Sequence, residues 1–228
     1  MRILAVDTST EICGVAIAEG STLLAEITLA HGQTHAKFLM EAIQNALALT
    51  RTHAKDVQGL VVSRGPGSFT GLRIGISTVK GLAVAWQKPA VGISSLAVLA
   101  HQADGIHPLI CPMIDARRKE IYWSLYRRQD DKLVQQIPDQ VGDVRNVLDC
   151  LQEPCLFVGS GALFCKKQID QTLSASALWP SPIQHAVRAG VLAKLGWQHL
   201  QKALPNDIQD LAPVYLRRSD AEINLSRR

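Results

Sequence analysis

The stretch Ser63–Trp86, SRGPGSFTGLRIGISTVKGLAVAW, decides how the rest of the chain is read. A short apolar run, Gly59-Leu60-Val61-Val62, leads into it with the composition of a buried strand. Gly65-Pro66-Gly67 then turns the chain, because glycine tolerates positive φ and proline fixes its own. Ser68 and Thr70 both suit the N-cap of a following helix. From Gly71 to Trp86 that helix carries a stripe of small residues, Gly71, Gly75, Thr78, Gly81 and Ala85. Beside it runs a large apolar stripe, Leu72, Ile76, Val79, Ala83 and Trp86, and only Arg73, Ser77, Lys80 and Gln87 are polar. A helix apolar nearly all round is covered on more than one side. One cover is its own sheet. The other is either more of the same core or a partner protein, and the pattern leaves both open.

Working outward, Arg2–Val6 is an apolar strand ending at Asp7-Thr8-Ser9-Thr10. Ile12–Ala18 and Leu23–Leu29 complete a meander, and a helix over His35–Thr50 follows, again with more apolar surface than one contact needs. After the glycine helix come a strand at Ala90–Ile93 and a helix at Leu96–Ala103. The pattern then restarts. Leu109–Ile114 ends in Asp115 as the first strand ends in Asp7, and strands at Glu120–Tyr126 and Leu133–Ile137 follow. A helix near Val141–Leu151, a strand at Cys155–Val158, a Gly159-Ser160-Gly161 turn and a helix near Ala162–Leu173 complete the second unit. A Pro/Ser stretch, Leu178–Ile183, leads to a long helix at Gln184–Leu204 and the tail Pro213–Arg217. Two βββαβα units are thus expected, an α/β fold split as residues 1–106 and 107–228 near Asp104–Pro108, with the tail able to return to the first unit.

Such a duplication can set two aspartates facing across a cleft, where carboxylates hold Mg²⁺ and glycine turns admit phosphate. Asp7 and Asp115 fit that reading, and also a plainer one in which Asp7 only satisfies its own turn. The Gly65–Gly71 loop either binds an anion at the helix N-terminus or packs the helix closely; it is not a Walker A loop. His31 and His35 have i, i+4 spacing, but Gly32 sets His31 ahead of the helix and no third ligand is evident. A net charge of +4, with basic pairs such as Arg117-Arg118 and Arg217-Arg218 scattered along the second half, describes solvated surface more than an RNA track. An odd number of cysteines, five, without a C-x-x-C points to reduced thiols in a cytoplasmic protein. No leader or membrane span is expected, since the uncharged run Pro89–Ala103 is too short and too polar.

ILAVDTST, SRGPGSFTGLRIGISTVKGLA, IDARRKEIYWSLY and PVYLR together resemble the TsaB (YeaZ) family, bacterial accessory proteins of tRNA threonylcarbamoyladenosine synthesis, over essentially the whole chain. The resemblance implies a two-lobed actin-like ATPase (ASKHA) fold with no catalytic residues of its own. It implies a heterodimer with the paralogous subunit TsaD, a larger assembly with TsaE, and tRNA engaged through that complex. The product is threonylcarbamoyl-adenosine next to the anticodon. Pairing would use the two helices of the first lobe, with Leu39, Ile43, Leu47, Leu72, Ile76 and Val79 as contacts, and the chain alone would form a homodimer. Asp7, Ser9, Gly65, Gly67, Gly71, Asp115, Gly159 and Gly161 would be the remnant of a nucleotide site, and no cofactor or metal is expected. Ser95 and Leu99 stand where TsaD carries metal-binding histidines. The rival readings are an independent ATPase or small-molecule kinase, with ATP or ADP and Mg²⁺ between Asp7 and Asp115, and a metallopeptidase around His31 and His35.

Overall fold

An apolar run with no polar alternation belongs in the middle of a sheet covered on both faces, and Arg2–Val6 is such a run. The computed structural model describes residues 1–30, 35–103, 109–130, 132–202 and 208–217. In it strand β1 (Arg2–Asp7) lies between β2 (Cys13–Glu19), antiparallel, and β4 (Gly59–Gly65), parallel. With β3 (Thr22–Leu29) outside β2 and β5 (Ala90–Ser94) outside β4, the order is β3-β2-β1-β4-β5. Leu4 and Val6 point to one face, where Leu39 and Ile43 of α1 (His35–Leu49) and Ile76 and Val79 of α2 (Phe69–Trp86) cover them.

The second sheet repeats the plan. β6 (Leu109–Asp115), β7 (Ile121–Gln129), β8 (Lys132–Gly142), β9 (Cys155–Val158) and β10 (Ala177–Leu178) lie in the order β10-β9-β6-β7-β8, with the same parallel and antiparallel senses. Its outer face packs Trp123 and Phe157 against α4 (Val144–Leu148) and α5 (Ser160–Leu173). This is the duplicated two-sheet architecture expected of an actin-like ATPase fold. Between the sheets lie α3 (Ser95–Gln102) and α6 (Ala189–Lys202), and a single cluster of buried residues runs from Ile3, Ala5 and Val61 through Leu96, Leu99 and Leu192 to Ile110 and Leu156. α3 packs on β6 and β7, while α6, from the far end of the chain, packs on β1, β2, β4 and β5. A cut at 106/107 therefore separates α6 from its sheet; the Asp104–Pro108 segment itself lies outside the described residues.

Three elements differ from the sequence expectation. The helix near Val141–Leu151 is only Val144–Leu148, because β8 continues to Gly142 and Asp143 caps the helix. β8 is a sheet edge, where Pro138 costs no ladder bond. A two-residue strand, β10, ends on Leu178, the first residue of the Pro/Ser stretch. The last helix starts at Ala189 rather than Gln184: the Gln102 amide donates to the carbonyls of Gln184 and Ala186 (2.6 Å each), and its carbonyl accepts from Arg188 N (3.1 Å). Pro182–His185 instead forms a separate 3-10 turn, and Ala186 after it is extended. Cys13, Cys111, Cys150, Cys155 and Cys165 are all free thiols, and no described helix is long and apolar enough to cross a membrane.

Candidate functional site

The end of β1 and the start of α2 are built into each other. Thr8 Oγ1 donates to the Gly71 carbonyl (2.7 Å), Ser68 N donates to the Ser9 carbonyl (2.7 Å), and Ser68 Oγ caps the helix by accepting from Gly71 N (3.2 Å). A Cβ on Gly71 or Gly75 would run into Thr8, and one on Gly67 into the Ser9 backbone. Gly65, at φ +109°, lies against the Val214 carbonyl, 2.8 Å from where its Cβ would be. The second lobe repeats the device, with Gly159 against the Met113 carbonyl and Gly161 against the Ile114 backbone. Both glycine turns thus serve close approach of the chain to itself. Of the glycines assigned to a nucleotide remnant, Gly65, Gly71, Gly159 and Gly161 are buried in this packing, and Gly67 alone lines the cleft between the lobes.

That cleft, about 720 Å³, is also lined by Ser9, Phe69, Asp115, Arg117, His185 and Tyr215. Asp7 is not on its wall. It is fully buried, with Oδ1 accepting from Ser9 N (3.3 Å) and Ser9 Oγ (2.7 Å). Burial pushes the Asp7 carboxyl pKa up, and the Ser63 and Ser9 hydroxyls oppose that shift. Asp115 does reach the cleft, where its Oδ1 accepts from Arg117 N (2.8 Å). Of the two aspartates expected to face each other, only Asp115 lines the cleft; the Asp7 carboxylate is buried behind Ser9. Among the described residues no group of three or more His, Cys, Asp and Glu is placed to hold a metal. His35 Nε2 donates to the Thr10 carbonyl (2.8 Å), and His31 lies outside the described residues. Ser95 and Leu99 are fully buried.

Across the cleft run residues 213–217, the last that the structure describes. Val214 N donates to the Arg64 carbonyl (2.7 Å), and Tyr215 stacks on Phe69 with ring centroids 4.2 Å apart. Arg73 Nε donates to the Tyr215 hydroxyl (3.0 Å), and Arg217 pairs with Glu120 of the second lobe (3.0 Å). Arg117 pairs across the lobes with Glu11 (2.5 Å).

The helix pair α1/α2 shows a second surface, and here the sequence expectation is corrected. Leu39, Ile43, Leu72, Ile76 and Val79 are core residues, none more than 4% exposed, and Leu47 is half-buried against the same cluster. They cannot meet a partner without unfolding the lobe. On α2 only the first half of the small stripe, Gly71 and Gly75, is buried with the large one, where Thr8 packs against it, while Gly81 and Ala85 are exposed. The outward face of α2 carries Ser77, Gly81, Val84 and Ala85; on α1, Met40 and Leu49 are exposed on opposite flanks of the helix, nine residues apart. Val84 is 68% and Leu49 74% exposed, and nothing lies within 4 Å of a Cβ built on Gly81.

The family model described as "TsaD: tRNA N6-adenosine threonylcarbamoyltransferase" matches residues 22–225. A Bacillus subtilis protein named tRNA threonylcarbamoyladenosine biosynthesis protein TsaB is 34% identical over 225 residues, covering 97% of this chain and 96% of that protein. The chain belongs to the TsaB (YeaZ) family. The TsaB of Haemophilus influenzae is 30% identical over 228 residues, 95% of this chain and 94% of that one. In three dimensions YeaZ from Pseudomonas aeruginosa superposes with a TM-score of 0.80 at 27% identity, covering 94% of this chain and 99% of that one.

In this TsaB-family chain, sequence reasoning missed the Phe69–Tyr215–Arg73 stack and the Glu11–Arg117 clasp. The signals present were an aromatic in the first turn of α2 and one in the tail, 146 positions on; nothing in either segment says that they meet.

Proposed function

We propose that this chain works in tRNA threonylcarbamoyladenosine synthesis as a non-catalytic scaffold, pairing with TsaD through the outward face of α1 and α2 and joining a larger assembly with TsaE. The observation that carries the reading is Gly81. A glycine inside a helix costs about 1 kcal/mol against alanine, and Gly71 and Gly75 offset that cost by admitting Thr8, whereas Gly81 meets nothing in its own chain. With Val84 and Ala85 beside it, it leaves a flat apolar surface on which another helix can lie closely. A second copy of the chain would cover the same face in the absence of TsaD. No catalytic role is proposed for the cleft, since Asp7 is not on its wall and residues 213–217 run across it. The test is sedimentation of the chain mixed with TsaD: a Gly81→Arg variant should fold as the parent does and stay separate. An equally tight complex with that variant would remove the α1/α2 face from the interface.

A further inference from the structure

Three consecutive residues at the β6–β7 turn, Arg117, Arg118 and Lys119, have φ of 65°, 54° and 66°. Side-chain-bearing residues are strained in this region, and a hairpin closes with less strain on Gly, Asn or Asp. None of the three is of those types. All are cationic and all are exposed. The turn thus keeps a conformation that its closing role would give to other residues, as functional sites do.

Hydrogen bonds and ion pairs close its base. Ala116 N donates to the Glu120 carbonyl (3.0 Å), and Glu120 N to the Arg117 carbonyl (3.0 Å). The Arg117 guanidinium is clasped to Glu11 of the other lobe (2.5 Å), and Glu120 is held by Arg217 (3.0 Å). Arg118 and Lys119, at the tip, are exposed. Neither lines the cleft and neither belongs to the α1/α2 face.

We infer that Arg118 and Lys119 are a preformed contact for the phosphate backbone of RNA, the tRNA on which the assembly acts. Successive phosphodiesters present neighbouring anions that two adjacent cations engage together, and a clamped turn loses little freedom on binding. Segment 115–120 has no large apolar residue to enter a bilayer, so a lipid surface matches it less well. Such a contact positions the RNA without reading its sequence. The choice of tRNA rests on the function proposed above.

The test titrates an unmodified tRNA transcript, across a range of salt, into the full-length chain alone and into its complex with TsaD. Wild type is compared with Arg118→Ala/Lys119→Ala and Arg118→Gly/Lys119→Gly. Both double variants should bind about 10-fold more weakly, with the salt slope flattened by about 1–2. The glycine pair relieves the strained turn, so its melting temperature should equal or exceed the parent's and misfolding cannot explain its loss. Wild-type affinity and slope in the glycine pair would overturn the inference. So would equal affinity of the wild type for phosphatidylserine vesicles. Sedimentation of the same samples reports pairing with TsaD separately: failure to pair counts against the scaffold, while the titration of the chain alone still decides the turn.

Discussion

Tyr215 lies on Phe69 with ring centroids 4.2 Å apart and planes 21° from parallel, so the last described residues are fastened to the first turn of α2. Arg73 completes the stack, its guanidinium 4.0 Å above the Phe69 ring. The segment around Tyr215 is thereby tied to the helix whose far half forms the proposed partner face, while Arg217 ties it to the second lobe.

Replacing Tyr215 by Ala removes the stack and the Arg73 bond together. Aromatic pairs contribute about 0.5–1.5 kcal/mol beyond area burial, and Tyr215 is partly exposed, so a total loss of about 1–2 kcal/mol is expected. Urea denaturation measures it. An unchanged midpoint would mean that the tail is not fastened in solution.

Gly75→Ala and Gly81→Ala should behave oppositely. At Gly75 the new methyl runs into Thr8 Oγ1, and overpacking of this kind costs about 1–3 kcal/mol, more than the helix gains. At Gly81 the methyl meets open space, and the helix should gain up to about 1 kcal/mol. Thermal melts of the two variants decide the point.

Ile76→Glu, which the helical pattern alone marks as an interface change, should unfold the first lobe. Its side chain is 4% exposed in the α1/α2 core, and an unpaired buried carboxylate costs about 4 kcal/mol or more. The expected readout is loss of the cooperative thermal transition.

Asp7 gives a pH prediction. Burial raises its folded pKa above the unfolded carboxylate value, against the smaller opposing effects of Ser63 and Ser9. Its favourable contribution is therefore complete below the unfolded pKa and is lost as pH rises through the folded one. Asp7→Asn should flatten the fall of stability with pH above about 4, the ordinary carboxylate range. Urea midpoints of both proteins from pH 3 to 8 test this; parallel curves would contradict it.

The order of strands and helices was legible because buried strands read as unbroken apolar runs and the helices show a 3.6-residue repeat. The duplication was legible in Asp7 and Asp115, each ending the first strand of its lobe. The side of α2 that faces the sheet was not. Both its stripes are apolar, and what selects the buried one is Thr8, 63 residues before Gly71. The start of α6 was hidden for the same kind of reason, since Gln102 holds residues 184–188 out of the helix from across the core. Likewise, Asp7 and the glycine turns have the composition of a phosphate site, and only the packing shows them turned to the chain itself.

The most direct test of the scaffold is analytical sedimentation of this chain with TsaD, parent against Val84→Glu. Val84 is exposed, so the substitution should change stability by no more than about 0.5 kcal/mol. The account predicts one heavier complex with the parent and two separate species with the variant. A complex of undiminished affinity from Val84→Glu, with both proteins folded, would contradict it.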